Sequence, residues 1–213
     1  MLGIVGKFRL GVAAAVVTLV AGIGSINAAE QKSADQIINA LKPKAATRSL
    51  SGGSSAPKAL STEDRAFINT VRNKRTRSLS AGDRERVAAI AKEQPSIDLE
   101  ITFEYNSANI GPKNLAAVKE LGKALASKEL KDGVFLVAGH TDAKGTEEYN
   151  QGLSERRAEA IKRYLLDHYG LQAENLVAVG YGKTQLKNTS DPLAEENRRV
   201  QVVNMESSKE ARN

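Results

Sequence analysis

The stretch from Val134 to Leu165 constrains this chain most. Val134-Phe135-Leu136-Val137-Ala138 is an unbroken apolar run of strand length, which predicts a buried strand. A turn follows, Gly139-His140-Thr141-Asp142-Ala143-Lys144-Gly145. From Glu147 to Tyr169 the spacing predicts a helix, with Gly170 suited to end it. On that helix positions 153, 157, 161, 164 and 165 share one face. Leu153, Ile161, Tyr164 and Leu165 make it an apolar stripe, the side that packs on a sheet. Arg157 lies in the same stripe. A guanidinium cannot shed its charge there, so it needs an anionic partner. Asp142 in the preceding turn is one candidate, and a ligand carboxylate is another.

Around this unit the pattern continues. Strands are predicted at Ile97–Glu104, Val134–Gly139, Leu176–Tyr181 and Arg198–Asn204, and helices at Pro112–Ser127 and Glu147–Tyr169. A turn of helix is expected near Asp191–Glu195. Pro112 suits a first helical turn. The order βαβαββ implies an α/β fold, an α+β sandwich. Its mixed four-stranded sheet has helices packed on one face. Pro95 marks the start of this domain, read as residues 97–204, and residues 205–213 read as a polar tail.

The chain has 213 residues and a formal net charge of +6, and the charge is uneven. Residues 30–96 hold 13 Lys and Arg against 7 Asp and Glu, whereas residues 97–213 hold 16 against 18. Residues 1–29 read as a secretory signal. Lys7 and Arg9 precede the apolar stretch Leu10–Gly24, and Ala28 or Ala29 is the last residue removed. That stretch is shorter than the ~20 residues a membrane span needs; an uncleaved anchor is the alternative reading. There is no cysteine, which excludes disulfides, thiolate chemistry and lipidation at an N-terminal cysteine.

Residues 30–96 read as a basic, flexible arm with short helices. Ser33–Leu41 is one. Ser61–Asn73 and Ser80–Glu93 are two more, each opened by a capping serine with acidic residues in the first turn. Thr47 to Pro57, with Ser51-Gly52-Gly53-Ser54-Ser55, reads as a flexible linker. The arm's apolar faces have three possible uses: packing together, packing on the domain, or binding a partner. A semi-ordered spacer is the plainest reading. Nucleic acid is not indicated, because the arm has one aromatic residue, Phe67, and lies behind an export signal. Its charge suits anionic envelope polymers or an outer-membrane protein.

Gly139-His140-Thr141-Asp142, Gly145, and Asn150 through Leu153-Ser154 to Arg157-Ala158 resemble the signature of the outer-membrane protein A-like (OmpA-like) peptidoglycan-binding family. This domain is also seen in peptidoglycan-associated lipoprotein. The resemblance spans roughly residues 97–204. Phe103 to Ile110 is similar to the family's first strand and following loop. Val179-Gly180-Tyr181-Gly182 and Asn197-Arg198-Arg199-Val200 are similar to the approaches of the last two strands. Leu193-Ala194 stands where the family usually has Gly-Arg.

The resemblance implies non-covalent binding of peptidoglycan through the diaminopimelate of its stem peptide. That residue presents an ammonium and a carboxylate on one carbon. Arg157 would grip the carboxylate and Asp142 the ammonium. By the same resemblance Asn150 hydrogen-bonds the ligand, Arg198 adds a second cation, Leu153 floors the pocket, and Glu104 and Asn106 border it. His140 reads as a packed strand-end residue, since the only other histidine is His168. No cofactor or metal is implied, and no nucleophile–base set is visible, so the chain reads as a non-enzyme of the periplasm, with association with the outer membrane left open. The rivals are an adaptor whose arm docks on a membrane protein, and a cell-wall hydrolase.

Overall fold

The computed structural model describes residues 31–43, 59–72, 74, 76–101, 103–104 and 106–206. The expected signal at 1–29, the Ser-Gly linker and the end of the expected tail lie outside them. Among the described residues there are nine principal elements: α1 (Ala34–Leu41), α2 (Thr62–Arg72), α3 (Ala81–Ala91), β1 (Ser96–Leu99), α4 (Pro112–Leu125), β2 (Val134–Gly139), α5 (Glu147–Tyr169), β3 (Leu176–Gly180) and β4 (Val200–Glu206).

The strands form one mixed sheet in the order β1-β4-β2-β3. β2 and β3 are parallel, and β4 runs antiparallel to both β1 and β2. From β1 onward the order is βαβαββ, as expected. Successive strand residues point to opposite faces, and two apolar clusters result. Phe135, Val137, Val200 and Val202 join Val118, Leu121 and Leu125 of α4 and Ile161 and Leu165 of α5. Leu136, Ala138, Val177, Val179, Val203 and Met205 lie in the other cluster.

The helical arm departs from the expected flexible spacer. The first cluster includes Ile37 and Leu41 of α1. The second is completed by Ile68 and Val71 of α2 and Val87, Ile90 and Ala91 of α3. The reason is solvation: without α2 and α3, the face carrying Leu136 and Val203 would meet water. Polar contacts fix the cover. Arg65 of α2 sits 2.8 Å from the buried Glu206. Thr76 donates to Glu159 at 2.8 Å, and Asn204 donates to the Leu41 carbonyl at 2.9 Å. Helices therefore lie on both faces of the sheet, those of the domain on one and α2 and α3 on the other. The capping serines act as expected: Ser33 and Ser80 close capping boxes, and Ser61 accepts from the Asp64 amide.

Several strand boundaries differ from the sequence reading, most at the ends of β1 and β4. β1 stops at Leu99 because its partner β4 begins at Val200, so the ladder runs out. β4 continues through the buried Met205 to Glu206, into the expected tail. The helical turn near the last strand falls at Glu195–Asn197 rather than Asp191–Glu195.

Candidate ligand-binding site

The site is built where the front of α5 meets the carboxyl ends of β2 and β3. A Cβ on Gly139 would collide with the Ser154 carbonyl, and one on Gly180 with the Glu155 amide. Glycine at both places lets the helix lie directly on the strands. Ser154 locks this approach: its hydroxyl accepts from the Gly182 amide and donates to the Gln151 carbonyl, both at 2.8 Å. The turn before α5 needs Gly145, whose φ is 93°, in the region other residues avoid. Asn150 holds that turn, its amide donating to the carbonyls of Lys144 (2.8 Å) and Thr146 (3.0 Å). The resemblance expects Asn150 to hydrogen-bond a ligand; here its amide nitrogen is engaged by the loop. Thr146 caps the helix by accepting from the Tyr149 amide.

Arg157 is only 8% exposed. Its Nε donates to the Ser107 carbonyl at 3.0 Å, and a terminal nitrogen lies 3.5 Å from the Glu104 carbonyl. Its guanidinium carbon sits 4.8 Å from the centre of the Phe103 ring, a cation–π arrangement. Among the described residues it forms no ion pair within 4.0 Å. Burial works against its charge; Tyr149 and Asp142 favour that charge, while Arg198 and Arg156 oppose it.

Of the two partners open to Arg157 in the sequence, Asp142 is taken by another residue. Its carboxylate is 3.1 Å from Arg198 and also accepts from the Lys144 amide. Arg198 is held a second time by Glu195 at 2.7 Å. Arg157 and Arg198 line one cavity of about 340 Å³, with Glu100, Phe103, Glu195 and Glu196. Asp142 stands behind Arg198 rather than in this lining.

The remaining expected residues do not line this cavity. Leu153 is buried. Glu104 and Asn106 are exposed in the loop after β1. Asn106 has a left-handed backbone, φ 52°, and accepts from the Tyr149 hydroxyl at 3.0 Å. Sequence reasoning missed Glu100, Phe103, Glu195 and Glu196 as lining residues. The acidic pair just before Asn197-Arg198 was a visible signal for the last two.

Arg198 and Arg199 go to opposite faces. Arg199 is buried, 3.2 Å from Asp98 and 3.4 Å from the Gln185 carbonyl. His140, on the same side, is 3% exposed. Burial pushes it down to about 3; Arg199 adds to this, while Asp98 and the Gln185 backbone oppose it. A neutral, enclosed imidazole fits the packed role expected of it.

Residues 102–199 match the sequence model of the OmpA family. That segment is similar to the OmpA-like domains. Outer membrane protein A of Escherichia fergusonii is 39% identical over 85 residues, 40% of this chain and 35% of that one. Outer membrane porin F of Pseudomonas aeruginosa is 35% identical over 89 residues, 42% of this chain and 25% of that one. The chain thus spans about a third or less of the length of these curated relatives. A solved structure of the peptidoglycan-associated lipoprotein from Burkholderia pseudomallei is 28% identical, covering 48% of this chain and 86% of that one, with a TM-score of 0.41.

Proposed function

We propose that the chain holds peptidoglycan non-covalently at the cell envelope, through the diaminopimelate of the stem peptide. One observation carries this reading. Arg157 is a buried cation with no carboxylate partner among the described residues, and it lines a cavity with a second arginine. A desolvated guanidinium favours a carboxylate, which it grips with paired charge-assisted hydrogen bonds. Arg157 and Arg198 supply the cationic wall. Glu195, Glu196 and Glu100 supply anions for the ammonium on the same carbon, and Asp142 steadies Arg198 from behind. Asn150 contributes by shaping the Gly145 turn. The family's association with peptidoglycan and envelope anchoring supports the same reading.

The cavity lining contains no Ser, Thr, Cys, His or Lys, so it offers no hydroxyl or thiol nucleophile and no imidazole base. Action in the periplasm follows from the same reading, because the wall lies there. No helix among the described residues is long and apolar enough to cross a membrane. The apolar faces of α1, α2 and α3 are used inside the molecule, so a docking partner for the arm would meet their polar outer sides.

Co-sedimentation with purified sacculi tests the proposal, with free diaminopimelate as competitor. Retention should be displaced by diaminopimelate and lost in Arg198→Ala. Loss of one member of a desolvated charge pair costs roughly 2–5 kcal/mol of binding. Retention by Arg198→Ala at wild-type level would place the wall contact elsewhere.

A further inference from the structure

Arg199 leads to a second cavity, on the opposite face of the sheet from Arg157. It measures about 290 Å³ and is roofed by Ala88 and Ala91 of α3. His140, Tyr181, Arg199 and Lys92 line it, with Gln185 and Ser96. α3 adds one side to this cavity, which stays open to solvent at Lys92.

Two features of the lining point to a ligand. The first is hydrogen bonding. His140 and Tyr181 are both more than nine-tenths buried, and their rings lie 5.4 Å apart. The Tyr181 hydroxyl has no hydrogen-bond partner among the described residues, and the one polar neighbour of the imidazole, the Gln185 backbone, leaves at least one ring nitrogen unpaired. Buried polar atoms are normally paired, and here more than one lies at one cavity. The second is charge. Asp98 is shared between Arg199 at 3.2 Å and Lys187 at 3.1 Å, one carboxylate for two cations. Lys92 forms no ion pair among the described residues. The cavity is therefore net cationic, with neutral donors from Tyr181 and His140.

We propose that this cavity is a second binding site, for a small organic carboxylate. Lys92 and Arg199 would hold the carboxylate, and the Tyr181 hydroxyl would donate to it. The neutral imidazole, with one donor and one acceptor, would complete the set. A volume of about 290 Å³ limits the guest to amino-acid size. This site shares no lining residue with the Arg157 cavity, so it stands independently of the wall-binding reading.

The test is a titration of the full chain with sodium acetate at constant ionic strength, balanced with sodium chloride. It is followed by NMR of the His140 ring and the Arg199 guanidinium. Saturable shifts at both are expected. Tyr181→Phe should weaken acetate about three- to tenfold, the worth of one hydrogen bond, with sacculus binding and melting temperature retained. Linear shifts matched by chloride alone would overturn the proposal. So would saturable shifts confined to Arg157 and Arg198, which would assign the carboxylate to the first cavity only. Equal acetate affinity in wild type and Tyr181→Phe would remove the assigned donor and sink the geometry. Because sacculus retention is measured in parallel, failure here is separable from failure of the wall-binding reading.

Discussion

Phe135 and Val137 face a layer made by α4 and α5, whereas their neighbours Leu136 and Ala138 face α2 and α3. The first layer is threaded between the strands it covers. The second comes from residues that precede the whole sheet. At the end of the sheet, the same division separates two adjacent arginines. Arg198 is partly exposed and lies at the open cavity with Arg157, while Arg199 is buried against Asp98. One face thus leaves its arginine partly exposed, and the other buries its arginine against a carboxylate. The difference shows that cover, as well as chemistry, decides which cation can meet a large ligand.

The largest effect should come from removing the cover. A chain starting at Ser96 loses Ile37 and Leu41 from one cluster and every α2 and α3 residue from the other. Each fully buried aliphatic side chain contributes about 1.5–3 kcal/mol, comparable in sum to the whole stability of a domain. Asn204 would also lose the Leu41 carbonyl, and Glu206 would lose Arg65. Circular dichroism and size-exclusion chromatography should show a truncated chain that aggregates or melts well below the full one. A monomer with unchanged melting temperature would restore the reading of residues 30–96 as a spacer.

A smaller effect should separate the two arginines. Arg199→Ala breaks a buried pair, which costs about 3 kcal/mol, the low end for such changes, because Asp98 keeps Lys187. Arg198→Ala removes a partly exposed pair and should alter stability by at most about 1 kcal/mol, while abolishing retention on sacculi. Urea denaturation and co-sedimentation read these separately. Equal destabilisation by both substitutions would end the contrast between the faces.

Much of this was legible in the chain, for identifiable reasons. The long periodic run of α5 announced both its own existence and the anomaly of Arg157. The capping serines announced the starts of α1, α2 and α3. The destination of the arm was not legible. α3 buries Val87, Ala88, Ile90 and Ala91, a face too small to specify its partner, and that partner is a surface assembled from β2, β3 and β4. Phe103 was hidden by a different cause. Apolar alternation extended the first strand to Glu104, but the ladder ends at Leu99. The released segment then turns its carbonyls at Glu104 and Ser107 toward Arg157. Asp142 was legible as an acid near the site, but its pairing with Arg198 rather than Arg157 depends on contacts 56 residues apart.

The smallest expected effect concerns His140 and measures how closed the second face is. Burial, with Arg199 adding and Asp98 and the Gln185 backbone opposing, lowers His140 from its ordinary 6.5 to about 3 in the folded chain. Between those pH values the unfolded chain binds a proton at residue 140 that the folded chain refuses. Stability from this group is therefore complete above about pH 6.5 and is lost as pH falls through the window, with a slope approaching about 1.4 kcal/mol per pH unit. Native carboxylates weaken in acid as well, so the informative quantity is the difference from His140→Gln, which cannot titrate. Urea denaturation at pH 6 and pH 5 should show the wild type losing about 1 kcal/mol more than the variant over that step. Parallel losses would mean that His140 takes up its proton in the folded state. The cover of α3 would then open readily enough to admit water, and the two faces would be less different than their packing implies.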